Sequence, residues 1–125
     1  MSKIILFFTQ LQAQIKYYHW MTKSHPRHLA SDKLHSALEE HIDKFVEVYL
    51  GKYNRRGATL PSGGASVVLK TLDDRKIETF LQKAIDYLTN DLPKQLDAKK
   101  DTDLLNLRDE ILVDINQALY LFSLR

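Results

Sequence analysis

Apolar residues recur every three or four positions through most of this chain, and no other feature constrains the fold as tightly. In the first segment Ile4, Phe7, Phe8, Leu11, Ile15, Tyr18 and Thr22 share one helical face. Ser24, His25 and Pro26 interrupt it, and because proline is tolerated in a first turn, a second helix is expected from near Pro26. There Leu34, Leu38, Ile42, Phe45 and Tyr49 form the stripe, with Gly51 after Leu50 as the expected C-cap. A third helix is capped by Thr71 with Asp74 three residues on, carries Ile77, Leu81, Ala84 and Leu88, and is ended or kinked by Pro93. A fourth starts at Asp101 or Thr102, with Leu104, Leu107, Ile111, Ile115, Ala118 and Phe122 at heptad-like spacing. Only a few residues around Val67 alternate like a strand. The class is all-α, one domain over residues 1–125, with helices at about 2–22, 26–51, 71–92 and 102–124.

Connection lengths bear on topology. The first two helices are joined by a few residues, as are the last two, so each pair should be an antiparallel hairpin. Residues 52–70 hold Asn54, Gly57, Pro61, Ser62, Gly63, Gly64 and Ser66, all turn formers. A 22-residue helix is roughly 33 Å long, and this connection can stretch roughly 60 Å. It can therefore run back along the molecule and leave helices two and three parallel, the ferritin-like four-helix bundle with one long crossover. An up-down-up-down bundle with an idle loop is the alternative, and long idle loops are uncommon in compact domains.

Composition closes off several chemistries. With 125 residues there is material for one core, not two. No cysteine means no disulfide scaffold, thiolate zinc site, iron–sulfur cluster or thiol nucleophile. The net charge of +2 is spread along the chain, against a nucleic-acid binder's concentrated basic stripe. The apolar run Ile4–Phe8 is too short for a signal sequence or a membrane span, so a soluble, cytoplasmic protein without a cleaved leader is expected.

All five histidines fall between positions 19 and 41, so any imidazole chemistry belongs to the first hairpin. On helix two, His28 and Asp32 are one turn apart, as are Asp43 and Glu47, and all four lie along one side beside the apolar face. Asp32 and Asp43 are roughly 16 Å apart along the axis, whereas zinc or iron takes ligands at about 2 Å, so one chain cannot close a site. Two copies of the helix, paired antiparallel across a two-fold axis, can. The pairs His28–Glu47 and Asp32–Asp43 share one midpoint, between positions 37 and 38. His28 and Asp32 of one chain would then face Asp43 and Glu47 of the other, twice per dimer. His19 offers a second imidazole. His35 and Glu39 lie near the proposed axis and suit hydrogen bonds at a dimer seam, while His25 and His41 read as surface residues.

These residues resemble the Dps family of small ferritin-like, iron-oxidising proteins: His19-Trp20, then His28-Leu-Ala-Ser-Asp32, then Asp43-Lys-Phe-Val-Glu47 and Leu50-Gly51. The resemblance implies iron held between two subunits by His19, His28, Asp32, Asp43 and Glu47. Trp20, His35 and Glu39 would stand around those ligands, with no catalytic group separate from them. His19 and His28 are nine apart where the family usually has twelve, which makes His19 an optional ligand. The implied cofactor is non-haem iron, as one ion or two, with zinc or manganese as other ions the same donors accept. The implied activity is ferroxidase-type iron(II) oxidation by a homodimer or larger homo-oligomer. The lysine-rich tail that serves DNA-binding members has no counterpart in Met1–Lys3 or at Arg125, so nucleic acid and membrane partners are not expected. The rival reading is a non-catalytic dimerisation module whose polar stripe only sets the pairing of two copies. Helices three and four hold no histidine, which argues against a di-iron centre inside one bundle.

Overall fold

The computed structural model describes residues 2–124, with side chains from Lys3 onward; Met1 and Arg125 lie outside it. Among the described residues there are four α-helices and no strand: α1 (Ser2–Met21), α2 (His25–Tyr53), α3 (Asp74–Asp86) and α4 (Thr102–Ser123). The apolar stripes meet in one core. Phe8, Leu11 and Ile15 of α1, Leu38 and Phe45 of α2, Ile77 and Leu81 of α3, and Ile111 and Ile115 of α4 are all essentially sealed from solvent. Burying a side chain of that size contributes about 1.5–3 kcal/mol, which is what holds helices of such mixed surface polarity together. None of the helices is long and apolar enough to cross a membrane.

Helix ends differ from the sequence reading in three places, each for a local reason. Helix α2 runs through Gly51 to Tyr53 and stops at Asn54, whose φ of 75° breaks the ladder while its side chain accepts from the Arg56 N–H. With ψ at 168° this is outside the left-handed helical well and in a region that normally favours glycine, a strained backbone that the Asn54 side-chain and backbone hydrogen bonds hold in place. A short 3₁₀ turn, Arg55–Ala58, follows. Helix α3 starts at Asp74, not Thr71. Asp73 is its cap and takes the N–H groups of both Arg75 and Lys76, whereas Thr71 hydrogen-bonds Tyr17. A carboxylate suits a helix N-terminus better than a hydroxyl, and these N–H donors hold the Asp73 carboxyl below its usual range. Helix α3 also gives up α geometry early, passing through a π-turn at Tyr87–Asp91 into a 3₁₀ turn at Leu92–Gln95. In the π pattern the Leu88 carbonyl would receive the N–H of residue 93, which is proline and has none. The Arg108 guanidinium from α4 donates to it instead, at 3.0 Å.

Arg27 fixes the relative directions of the helices. From the first turn of α2 it donates to the Asp74 carbonyl (2.8 Å), to Glu78 (3.1 Å) and to the Phe122 carbonyl (3.2 Å), and it touches the Tyr18 hydroxyl. One end of the molecule therefore collects the starts of α2 and α3 and the ends of α1 and α4. At the other end Lys52, late in α2, pairs with Asp103 at the start of α4. The long connection reaches α3 alongside α1: Gln10 donates to the Val68 carbonyl, and buried Gln14 both donates to and accepts from the Lys70 backbone.

Candidate metal centre

The tight turn between α1 and α2 sets the position of the first two candidate ligands. Ser24 caps α2 by accepting from the Arg27 N–H, and its own N–H donates to the Thr22 hydroxyl. His19 in the last turn of α1 is thereby brought against His28 in the second turn of α2. The two residues bond reciprocally. Nδ1 of His19 lies 2.8 Å from the His28 carbonyl, and Nδ1 of His28 lies 2.9 Å from the His19 carbonyl. A carbonyl only accepts, so both Nδ1 atoms carry the proton, and in the neutral rings both Nε2 atoms keep a lone pair. The rings stack with centroids 3.9 Å apart and planes 20° from parallel, and His25 continues the stack beyond His28 at 6.4 Å. Fully buried Ser31 closes the arrangement, donating to the His28 carbonyl and lying 3.3 Å from His19 Nδ1. The nine-residue spacing thus does not hold His19 away: it is buried and directly against His28.

Asp32, Asp43 and Glu47 are all exposed, and among the described residues none makes an ion pair or a side-chain hydrogen bond. Asp43 and Glu39 edge a depression of about 560 Å³ that Thr9 and Gln12 of α1 line from the other side. His35 is half-buried in a recess with Lys16 and Trp20, and burial, with Lys16 beside it, pushes its pKa down against the pull of Glu39 and Asp32. Trp20 is 65% exposed, with the Lys16 ammonium 5.9 Å from its ring. Within the chain, His19 and His28 come together and the three carboxylates do not join them. Among the described residues, no three of the metal-ligating types converge closely enough to hold an ion.

Three polar residues that the sequence reading did not single out are built into the structure. His41 is not a free surface side chain: its Nδ1–H donates to Asp114 of α4 at 2.5 Å. Burial pushes the Asp114 carboxyl up, with Glu110 and Glu40 adding to it, against the opposing effect of His41. Asp101 is 0% exposed yet accepts from the Tyr53 hydroxyl, the Asp97 N–H and Lys52. Burial raises its pKa, but those donors outweigh burial and hold it below the usual carboxylate range. Both clusters tie α2 to α4 or to the turn before it, through partners 48 or 73 positions away. The third, Ser31, had one signal available: it stands three residues after His28, inside the segment that carries the candidate ligands.

Fold and site together define an all-helical protein with a locked histidine pair at the start of α2 and three unengaged carboxylates spread along the same helix. Residues 19–122 match the Family of unknown function (DUF5856), and the chain belongs to that family; the matched stretch contains every candidate ligand. No curated protein and no solved structure matches the chain.

Proposed function

We propose that this protein binds and oxidises iron(II) at a two-fold interface between copies, on a ferritin-like bundle of the Dps kind. The reading rests above all on the reciprocal His19–His28 pair. Histidines that ligate metals commonly donate one ring N–H to a carbonyl or carboxylate, which fixes the tautomer and aims the other nitrogen outward. Here both rings are fixed in that way. Carboxylate and neutral imidazole together suit iron, with zinc and manganese as competitors for the same donors. Asp32 would join His28, and Asp43 and Glu47 of a second copy would complete that ligand set, because the 16 Å of helix between Asp32 and Asp43, roughly, excludes closure within one chain. The ferritin-like assignment is supported by the shared end of α2 and α3 and by the connection lying along α1. Iron is the substrate on this reading, and its two-electron oxidant is dioxygen or peroxide.

The test is anaerobic iron(II) titration followed by exposure to oxidant. The wild type should bind iron stoichiometrically as a dimer or larger assembly, then oxidise it faster than buffer does. Asp43→Ala should abolish both while leaving helical content unchanged, since among the described residues Asp43 makes no ion pair or side-chain hydrogen bond. A non-catalytic interaction module would give no protein-dependent oxidation, and its α2 variants would alter association alone.

A further inference from the structure

Away from the histidines, a cavity of about 480 Å³ opens between α1 and the end of α3. That volume falls in the range of small-molecule sites, roughly 300–1,000 Å³. Its existence follows from the local backbone. Buried Ala84 forms part of the floor, where a larger residue would fill the space, and the π-turn after Asp86 widens the helix just beyond it. One wall is rigid. Phe7 stacks on Tyr87 at 3.9 Å and 20°, and the Tyr87 hydroxyl is occupied by the Gln95 amide. Phe80 adds a third ring. The rim carries Asp86, Asp91 and Lys83, none of them in an ion pair among the described residues.

We infer that this cavity is a binding site for a small organic cation, an amine on a flat apolar body. Three aromatic rings line the cavity, and although Phe7 and Tyr87 each give one face to the other, the aromatic surface that remains attracts an ammonium, while two unpaired carboxylates against one lysine leave the rim net negative. The apolar floor of Leu11 and Ala84 takes the body, which an inorganic cation does not have. A carboxylate ligand would meet the opposite field. This inference does not depend on iron.

Three probes on one naphthalene body separate the contributions: 1-naphthylmethylamine, 1-naphthylmethanol and 1-naphthaleneacetate, titrated against the full chain with the Leu11 methyl resonances as reporter. The amine should bind about fivefold or more tightly than the alcohol, and the acetate most weakly. Asp86→Asn/Asp91→Asn, both exposed and unpaired, should bring the amine down to the alcohol's affinity. Ala84→Leu should abolish binding of all three; if that variant does not fold, the double asparagine variant decides. Equal affinities for amine and alcohol, no shift at Leu11 with millimolar amine, or an amine preference unmoved by the asparagines would each overturn the inference.

Discussion

A site assembled from halves of two chains can be tested by mixing two inactive proteins. Take one variant lacking the first half, His28→Ala/Asp32→Ala, and one lacking the second, Asp43→Ala/Glu47→Ala. Each homodimer has no intact site. In a heterodimer the surviving His28–Asp32 of one chain faces the surviving Asp43–Glu47 of the other, so one site of two is whole and the second has neither half. Random exchange makes half of the dimers mixed, and the mixture should bind and oxidise about a quarter of the iron handled by the same amount of wild type. The lesions are tolerable for the fold. Among the described residues Asp32, Asp43 and Glu47 make no ion pair or side-chain hydrogen bond, and His28→Ala loses one hydrogen bond and its stacked contacts with His19 and His25, about 2 kcal/mol. The assay is anaerobic iron(II) binding after the variants are exchanged through mild denaturant, with circular dichroism confirming helix content. If exchange is demonstrated by mass and the mixture stays as inactive as its parents, the site is not shared in trans and the pairing scheme is wrong.

Two further outcomes probe the frame that carries the site. Asp101→Asn should cost about 2–3 kcal/mol, because a carboxylate accepting from Tyr53, Lys52 and a backbone N–H becomes an amide with donors of its own. Since the folded-state pKa of Asp101 is depressed, its stabilisation is present above the ordinary carboxylate range and lost as pH falls through the depressed value. Wild-type stability in urea should therefore decline below about pH 4 with a steeper limb than the variant's, and parallel limbs would refute this. Arg27→Met should lower Tm by roughly 10 °C, from about 2–3 kcal/mol of lost charge-assisted bonds to two carbonyls and Glu78; a change within 2 °C, roughly, would show that the joint is not holding the helix ends together.

The parts of this fold that were legible in the sequence are those set by period. Leu34, Leu38, Ile42, Phe45 and Tyr49 are buried because residues at that spacing cannot all be solvated on one helix, and no tertiary information is needed to see it. What was illegible depends on partners far away in the chain. Pro93 signals the end of α3, but the π-turn before it leaves the Leu88 carbonyl to a donor, Arg108, that lies 20 positions away in α4. Asp101 looks like a helix cap, and its side chain caps nothing; it is taken up by Tyr53. Gly51 looks like a helix terminator, yet the helix ends at Asn54, three residues on, where the backbone turns to a φ of 75°. The histidines are intermediate. Their clustering is plain in the sequence, but whether His19 reaches His28 depends on the Thr22–Ser24 turn, whose hydrogen bonds no spacing rule contains.

The histidine stack also limits how the proposed chemistry can be arranged. A metal ion sits close to the plane of the imidazole that binds it, about 2 Å from the nitrogen. Two rings 3.9 Å apart and only 20° from parallel have planes that do not meet near the rings, so one ion cannot lie in both. Moving either ring to share an ion would break its Nδ1 bond to the opposite carbonyl. On the iron reading, then, His19 and His28 serve different ions, and His19 is no spare ligand for the ion on His28. On that reading two iron(II) ions, giving up one electron each, would match the two electrons that either dioxygen or peroxide accepts, whereas a single ion would leave a one-electron product. The reciprocal bonding that makes the hairpin turn so compact is therefore also what keeps the two histidines from sharing one ion.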